Sequence, residues 1–239
     1  MSVNVDIKAL LQAGSHFGHK TSRWHPKMAQ YIHSRRDGNH IIDLTKTVEG
    51  LDKALPFLTQ TVASGRQVLF VSTKRQAKDI VKAAAEEVKM PYMTERWIGG
   101  MLTNSKTVGL RIKRLKNLET RMDSGELAKR YNKLEIQRFQ EEIDALNLRY
   151  GGIKELNGMP GALFVVDVVH DAIAVKEANR LSIPVVAIVD TNADPTVATY
   201  VIPANDDAIK SVELITGYAK QAVAEGIAAR KNDGTKEDK

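Results

Sequence analysis

The chain has 239 residues, no cysteine, 43% hydrophobic residues and a formal net charge of +6. Disulfides and thiolate metal sites are therefore excluded, and no uninterrupted apolar run approaches the roughly 20 residues of a membrane-spanning helix. We expect a cytoplasmic globular protein whose positive charge favours a polyanionic partner.

Residues 13–28 combine glycines, histidines, aromatic residues and cations without a clear period, which predicts an ordered basic loop. Five of the six histidines fall within the first forty residues. They could form a metal site, or their rings could stack and form hydrogen bonds within the loop. No acidic third ligand lies near His16 and His19 in the sequence. We therefore favour stacking and predict neither a metal nor another cofactor.

The next elements alternate between strands and helices. Two short extended runs, 31–34 and 40–44, flank a turn at 36–39. Near-continuous apolar runs then predict buried parallel strands. These lie at residues 67–72, 162–166, 185–189 and, more briefly, 200–203. Apolar residues at helical spacing predict helices at 47–63, 73–89, 172–181 and 208–224. Asp171 is a plausible N-cap for the third of these helices. The alternation predicts an α/β fold with a doubly wound, mostly parallel sheet.

A different pattern interrupts this alternation. Residues 103–122 and 126–150 have helical periodicity on both sides of a turn, with a possible capping box from Asp123 to Glu126. A five-residue step from Leu134 to Phe139 breaks the repeat of the second helix. We predict an antiparallel helical hairpin, or coiled-coil arm, at 103–150. It would be inserted into an α/β domain of residues 1–102 and 151–225, with a flexible tail at 226–239.

Polar side chains at the strand ends suggest an enzyme as an alternative. Ser72, Asp167, Asp190 and Asp194 follow predicted strands, where ligands of open α/β sheets bind. A magnesium-dependent phosphotransfer enzyme could use such acids. The sequence has no Asp-x-Asp pair after the strand ending at 166, no phosphate-binding P-loop and no dinucleotide-binding glycine pattern. These absences disfavour catalysis and leave capping and loop ordering as roles for the acids.

Binding to nucleic acid uses more of the sequence. Cations are concentrated in two segments, 20–36 and 103–122, where acids are scarce. Lysine and arginine can neutralise phosphates, while tryptophan can stack on bases or pack beneath a basic loop. We interpret the charged residues of the mixed-charge helix at 126–150 as a solvated surface. We interpret the cations at 111–116 as contacts with phosphate.

Several motifs together resemble the bacterial small-subunit ribosomal protein S2 family. They are LLQAGSHFGH at 10–19, WHPKM at 24–28, FVSTKR at 70–75, RWIGGMLTN at 96–104 and AIVDTNADP at 187–195. The resemblance implies a flavodoxin-like α/β domain with a projecting coiled-coil hairpin. It also implies a non-enzymatic structural constituent of the small ribosomal subunit that supports subunit assembly and translation initiation. Thr196 and Thr199 depart from acids often found in the family, which weakens a cation site there.

The implied partners are ribosomal RNA at the junction of head and body and neighbouring ribosomal proteins. Among those proteins is the large OB-repeat protein that captures mRNA; no membrane and no small-molecule substrate is implied. Charge and motifs together predict RNA-binding residues and no catalytic or metal-binding residue. The predicted RNA-binding residues are Lys20, Arg23, Trp24, His25, Lys27, Arg35, Arg36, Lys74, Arg75, Arg96, Trp97, Lys106, Arg111, Lys113, Arg114 and Lys116.

Overall fold

The structure, a computed structural model, describes residues 5–237 and the side chains of 5–127 and 129–230. After helix α1 (Ile7–Gln12), a small antiparallel sheet is formed by β1 (Phe17–Lys20), β2 (Ile32–Arg36) and β3 (Asn39–Ile42), in the order β1-β3-β2. Asp37 and Gly38 form the β2–β3 turn with positive φ angles of 50° and 77°, as a two-residue hairpin requires. The turn at 36–39 is confirmed, whereas β1 lies inside the segment predicted as a loop.

The central sheet has five parallel strands. They are β4 (Val68–Val71), β5 (Tyr92–Met93), β6 (Ala162–Val166), β7 (Val185–Val189) and β8 (Tyr200–Pro203). Their order is β5-β4-β6-β7-β8, which is the 2-1-3-4-5 order of flavodoxin-like folds. The predicted α/β class and parallel sheet are confirmed.

Helices cover both faces of this sheet. On one face lie α2 (Leu44–Ala63), α3 (Lys78–Glu87) and α8 (Ile209–Glu237), and on the other lies α7 (Ala172–Arg180). Between β5 and β6 the chain forms three further helices, α4 (Ser105–Asp123), α5 (Glu126–Arg130) and α6 (Lys133–Tyr150). Within β4, Phe70 belongs to the hydrophobic cluster with α2, α3 and α8, while Leu69 belongs to the cluster with α7. Both side chains are fully buried. The apolar runs are continuous because alternate residues of each strand enter opposite cores.

Residues 103–150, which we call the arm, contain α4, α5 and α6. Leu115 and Leu118 of α4 pack with Ile143 of α6 in a third, smaller hydrophobic cluster. The prediction of one continuous helix over 126–150 is wrong, because the chain is divided at Tyr131 and Asn132 into α5 and α6. The division has a local cause, because Asn132 and Glu135 form a reciprocal capping box that starts α6.

Other predicted boundaries are also wrong. Helix α3 begins at Lys78, so Lys74 and Arg75 lie in a loop before it. The N-cap of α5 is Gly125, and the side chain of Asp123 makes no capping hydrogen bond to this helix. The last helix continues past the predicted end to Glu237, and Gly226 within it packs closely against Thr59 and Val62 of α2. The mobility predicted for 226–239 stays a prediction, and 238–239 lie outside the described residues.

Two helical glycines, Gly50 and Gly109, provide a matched test of the packing of α2 against β8. An ideal Cβ on Gly50 of α2 would collide with the carbonyl oxygen of Val201 and lie 3.3 Å from Cα of Ile202 in β8. No atom lies within 4 Å of the corresponding position at Gly109 of α4. We expect Gly50→Ala to lower the free energy of unfolding by about 1–3 kcal/mol through overpacking.

Gly109→Ala should instead raise the free energy of unfolding by up to about 1 kcal/mol, because alanine has a higher helix propensity than glycine. Urea denaturation followed by circular dichroism measures both values. Similar effects of the two substitutions would contradict direct contact between α2 and β8.

Candidate nucleic-acid interface

Four carboxylates gather at the carboxyl edge of the central sheet. Asp167 follows β6, Asp190 follows β7, and Asp206 and Asp207 follow β8. The Lys74 ammonium, from the loop after β4, lies 2.6 Å from both Asp206 and Asp207 and 3.1 Å from Asp167. Burial and the neighbouring charges of Asp167 and Asp190 raise the pKa of Asp206 to about 7, although Lys74 opposes this. Burial opposes the charge of Lys74, but the carboxylates raise its pKa overall.

The N-terminal sheet contributes His19 to the same edge. Its Nδ1 lies 3.1 Å from Asp190 and its Nε2 lies 3.4 Å from Asp207. The hydrogen bond to Asp190 raises the pKa of His19, although burial opposes it. His19, Asp206 and Asp207 place ligand atoms within 4.8 Å of one another, so the three residues could hold a divalent ion. No acid lies near His19 in the sequence, but the fold brings Asp190 and Asp207 to it from the far end of the chain.

The strand-end acids that suggested an enzyme make internal contacts. Asp167 accepts hydrogen bonds from the backbone of Val169 and His170 in addition to the Lys74 ion pair. Asp171 forms no side-chain cap on α7 and instead accepts hydrogen bonds from the backbone and hydroxyl of Thr73. Internal contacts therefore engage Asp167, Asp171 and Lys74 at the edge of the sheet where a flavodoxin-like fold binds its ligand.

The predicted basic loop is fastened to the edge beyond β7. Lys27 Nζ lies 2.8 Å from Asp194 and donates a hydrogen bond to Thr196 at 3.0 Å. The His25 backbone N–H donates to the carbonyl of Thr191 at 2.7 Å. Bonds from Lys27 and Thr196 lower the pKa of Asp194 well below its usual range. Lys27 and His25 thus help to position the loop.

A tilted aromatic contact joins this loop to the small sheet. The Trp24 ring lies 5.1 Å from that of His40, and the Arg35 guanidinium lies 5.9 Å from the Trp24 centroid. Trp24 is half-buried and Arg35 is exposed. Burial lowers the pKa of His40, whose ring nitrogens have no hydrogen-bond partner in the part of the chain that the structure describes. Trp24 therefore acts as a support beneath an exposed cation.

Several other predicted RNA-binding residues are engaged internally. Arg114 makes two hydrogen bonds to Glu142, at 3.0 and 3.1 Å, and Lys116 lies 2.9 Å from Glu155. Trp97 is only 7% exposed. The structure leaves little of the Trp97 and Lys74 side chains accessible to a ligand.

A second group of predicted residues is exposed and has no acidic partner within 4.0 Å among the residues described. Its members are Lys20, Arg23, Arg35, Arg75, Arg96, Lys106, Arg111 and Lys113. Arg36 lies 3.6 Å from Asp37, but both side chains are more than four-fifths exposed. The unpaired cations lie on the N-terminal sheet, on the loops after β4 and β5, and on α4. This distribution suits contact with an extended polyanion.

Sequence reasoning missed Glu177. Its carboxylate lies on the buried face of α7 and accepts hydrogen bonds from the segment that leads into the arm. One signal was available, because a glutamate lies among Ala174, Val175 and Ala178 on the apolar face of the predicted helix. A buried carboxylate needs hydrogen-bonding partners.

A family model for ribosomal protein S2 matches residues 10–226. The chain belongs to the ribosomal protein S2 family. It is 50% identical to small ribosomal subunit protein uS2 of Bifidobacterium longum strain DJO10A over 95% of this chain and 80% of the relative. The uS2 protein of Syntrophobacter fumaroxidans is 51% identical over 93% of this chain and 81% of its own length. The uS2 protein of Roseiflexus sp. strain RS-1 is 48% identical over 95% of this chain and 87% of its own length.

Membership of the S2 family makes the chain a structural constituent of the small ribosomal subunit and not an enzyme. Its partners are ribosomal RNA and other ribosomal proteins. Residues 5–237 include no helix with the length and apolar character needed to cross a membrane. The family match gives no support to the phosphotransfer alternative, and the internal contacts of Asp167 and Lys74 agree with this.

Proposed function

We propose that the protein binds small-subunit ribosomal RNA through the exposed, unpaired cations of two surfaces. The body surface comprises Lys20, Arg23, Arg35, Arg75 and Arg96. The arm surface comprises Lys106, Arg111 and Lys113. The observation that carries the proposal is that these exposed cations have no acid within 4.0 Å among the residues described, whereas Lys27, Arg114 and Lys116, although also exposed, pair with acids of the same chain.

Recognition by phosphate and shape follows from the composition of these surfaces. Lysine and arginine contact phosphates without reading sequence. Trp24 is half-buried beneath Arg35, and Trp97 is buried against Glu177, so neither offers a fully open ring to a base. Folded RNA displays phosphates and 2′-hydroxyls across its wide minor groove. We infer that the two surfaces contact the backbone of folded RNA.

The position within the subunit forms a further part of the proposal. The family resemblance supports binding at the junction of head and body, with residues 103–150 as a projecting arm. It also supports a role in docking the large OB-repeat protein that captures mRNA, and thus in subunit assembly and translation initiation. The body would comprise residues 1–102 and 151–225.

Salt dependence tests the electrostatic part of this proposal. If about five cations contact phosphates, affinity for small-subunit ribosomal RNA should fall roughly 10²–10³-fold between about 50 and 200 mM salt. Filter binding or fluorescence anisotropy across this range measures the slope. An affinity that changes less than about threefold would show that phosphate contact is not the main source of binding.

A further inference from the structure

We propose that Glu177 is a positioning residue that fixes the orientation of the arm on the body. It would thereby hold the cations of both surfaces in one arrangement for a single folded RNA. The inference rests on the proposed RNA binding for its functional consequence. Its structural basis is the set of contacts between α7 and the segment 97–103, which enters the arm.

Five donors converge on the Glu177 carboxylate. Oε1 accepts from Trp97 Nε1 at 3.1 Å and from the Gly100 backbone at 2.7 Å. Oε2 accepts from the Leu102 backbone, the Thr103 backbone and the Thr103 hydroxyl, each at 3.0 Å. The carboxylate therefore binds most of the segment at once and defines its path across α7.

A carboxylate is the side-chain group that suits this set of donors. Its two oxygens offer about four lone-pair directions and carry no hydrogen, whereas the amide of glutamine has one oxygen and an NH₂ group. Glu177 is 8% exposed, and no lysine or arginine among the described residues lies within 4.0 Å of it. Burial opposes its ionisation, but the hydrogen bonds from Thr103, Trp97, Gly100 and Leu102 lower its pKa overall.

The held segment is the place where the arm could otherwise turn. Gly99 and Gly100 lie in its middle, and Gly100 has a φ angle of +87°, which glycine adopts with little strain. Tyr150 and Ile153, where the chain leaves the arm, contribute to the hydrophobic cluster beside α7. Apolar contacts are non-directional, so the convergent hydrogen bonds of Glu177 supply the directional constraint on the entering segment.

Arg96 precedes the held segment and Lys106 follows it, and both are exposed. A fixed segment thus sets the distance between body and arm cations before RNA arrives. Two binding surfaces held in the correct relative position bind a long ligand more tightly than surfaces joined by a mobile connection. A short ligand that reaches only one surface gains nothing from this arrangement.

The test combines a distance measurement with two RNA probes. The chain has no cysteine, so Asp79→Cys on α3 and Asn117→Cys on α4 provide two unique spin-label sites, both exposed. We expect a narrow distance distribution for this labelled protein and a broad one after Glu177→Gln. Without labels, Glu177→Gln should weaken binding to small-subunit ribosomal RNA about 10-fold and leave binding to a short RNA duplex unchanged.

Thr103→Ala is the matched control because it removes the hydroxyl donor and leaves the other four. It should preserve a narrow distribution and the affinity for both RNA probes. If Glu177→Gln does not fold, Trp97→Phe combined with Thr103→Ala removes one donor from each carboxylate oxygen and should broaden the distribution to a lesser degree. A narrow distribution in the tested variant would overturn the inference.

Broadening without a selective loss of affinity for the long RNA would overturn it as well. Failure of the unsubstituted protein to bind either RNA would instead refute the proposed function. In that case the spin-label distances would still decide whether Glu177 holds the arm. The two failures are therefore distinguishable.

Discussion

Replacing Lys106, Arg111 and Lys113 with glutamine is expected to weaken binding to small-subunit ribosomal RNA by about 10²–10³-fold at about 0.1 M salt. Each phosphate contact adds about 0.7–0.9 to the slope of log affinity against log salt concentration. At a salt concentration about tenfold below 1 M, each lost contact therefore removes nearly one logarithmic unit of affinity. The slope itself should decrease by about 2–3.

The structure explains why these three positions can be changed without unfolding the arm. All three side chains are exposed on α4, whereas Leu115 and Leu118 provide its contact with Ile143 of α6. Arg114 stays in place because its two hydrogen bonds to Glu142 tie α4 to α6. Isolated surface substitutions of this kind change stability by only about 0.5 kcal/mol or less.

A matched variant separates local contact from net charge. Lys8→Gln, Lys53→Gln and Lys210→Gln remove the same charge from exposed positions on α1, α2 and the start of α8. This triple variant should retain most of the affinity and the original salt slope. Equal losses in the two triple variants would show that binding depends on overall charge, and would contradict a specific role for α4.

The central sheet could be predicted from sequence because its signal is local. Strand β6 is buried on both faces, so each of its residues is apolar and the run from Ala162 to Val166 is continuous. Strand order has no such signal. Periodicity indicated a parallel sheet, but the flavodoxin-like order came only from the family resemblance, since pairing of β4 with β6 joins segments separated by the whole arm.

The bounds of helices and strands that were predicted wrongly depend on tertiary contacts, which the periodicity of apolar residues in the sequence does not indicate. Strand β1 exists because it pairs with β3, and its own sequence, FGHK, has no apolar alternation. At Gly226, helix α8 lies in close contact with α2, and the pattern of apolar residues does not reveal this contact. The start of α6 is locally encoded, because Asn132 and Glu135 have the spacing of a capping box.

The sequence predicts which segments of the candidate site are rich in cations, but not which of those cations form ion pairs with acids of the same chain. Segments rich in cations were evident, and their unpaired members remain the proposed RNA contacts. Which cations are engaged internally depends on distant residues, since Lys27 pairs with Asp194 and Lys74 with Asp206. Fold topology brings these partners together at the carboxyl edge of the sheet, and sequence spacing alone does not reveal it.

Replacing Lys74 with methionine is expected to lower the free energy of unfolding by about 3–5 kcal/mol. The side chains of Lys74 and Asp206 are 11% and 1% exposed, and their charged atoms lie 2.6 Å apart. Methionine fills a similar volume but leaves Asp206 and Asp167 without their shared cation. Removing one partner of a buried ion pair is costly because the remaining carboxylates must either stay charged out of water or take up a proton.

Chemical denaturation at neutral pH measures this loss, and Lys46→Met is its control. Lys46 pairs with Glu49 at 3.0 Å, but these side chains are 40% and 54% exposed, so that substitution should cost at most about 1 kcal/mol. Adding Asp206→Asn to Lys74→Met should restore part of the lost stability, since it removes the unpaired charge. A cost for Lys74→Met no greater than that for Lys46→Met would show that water reaches these carboxylates.

The same variant separates the two roles open to Lys74, which was predicted to bind RNA. If Lys74 serves only the carboxyl edge of the sheet, folded Lys74→Met should bind ribosomal RNA with an unchanged salt slope, because no phosphate contact is lost. If Lys74 also reaches RNA, the slope should decrease by about one. The ion pairs with Asp167, Asp206 and Asp207 already engage its ammonium. We therefore expect the first result, in which Lys74 affects RNA binding only through the stability of the fold.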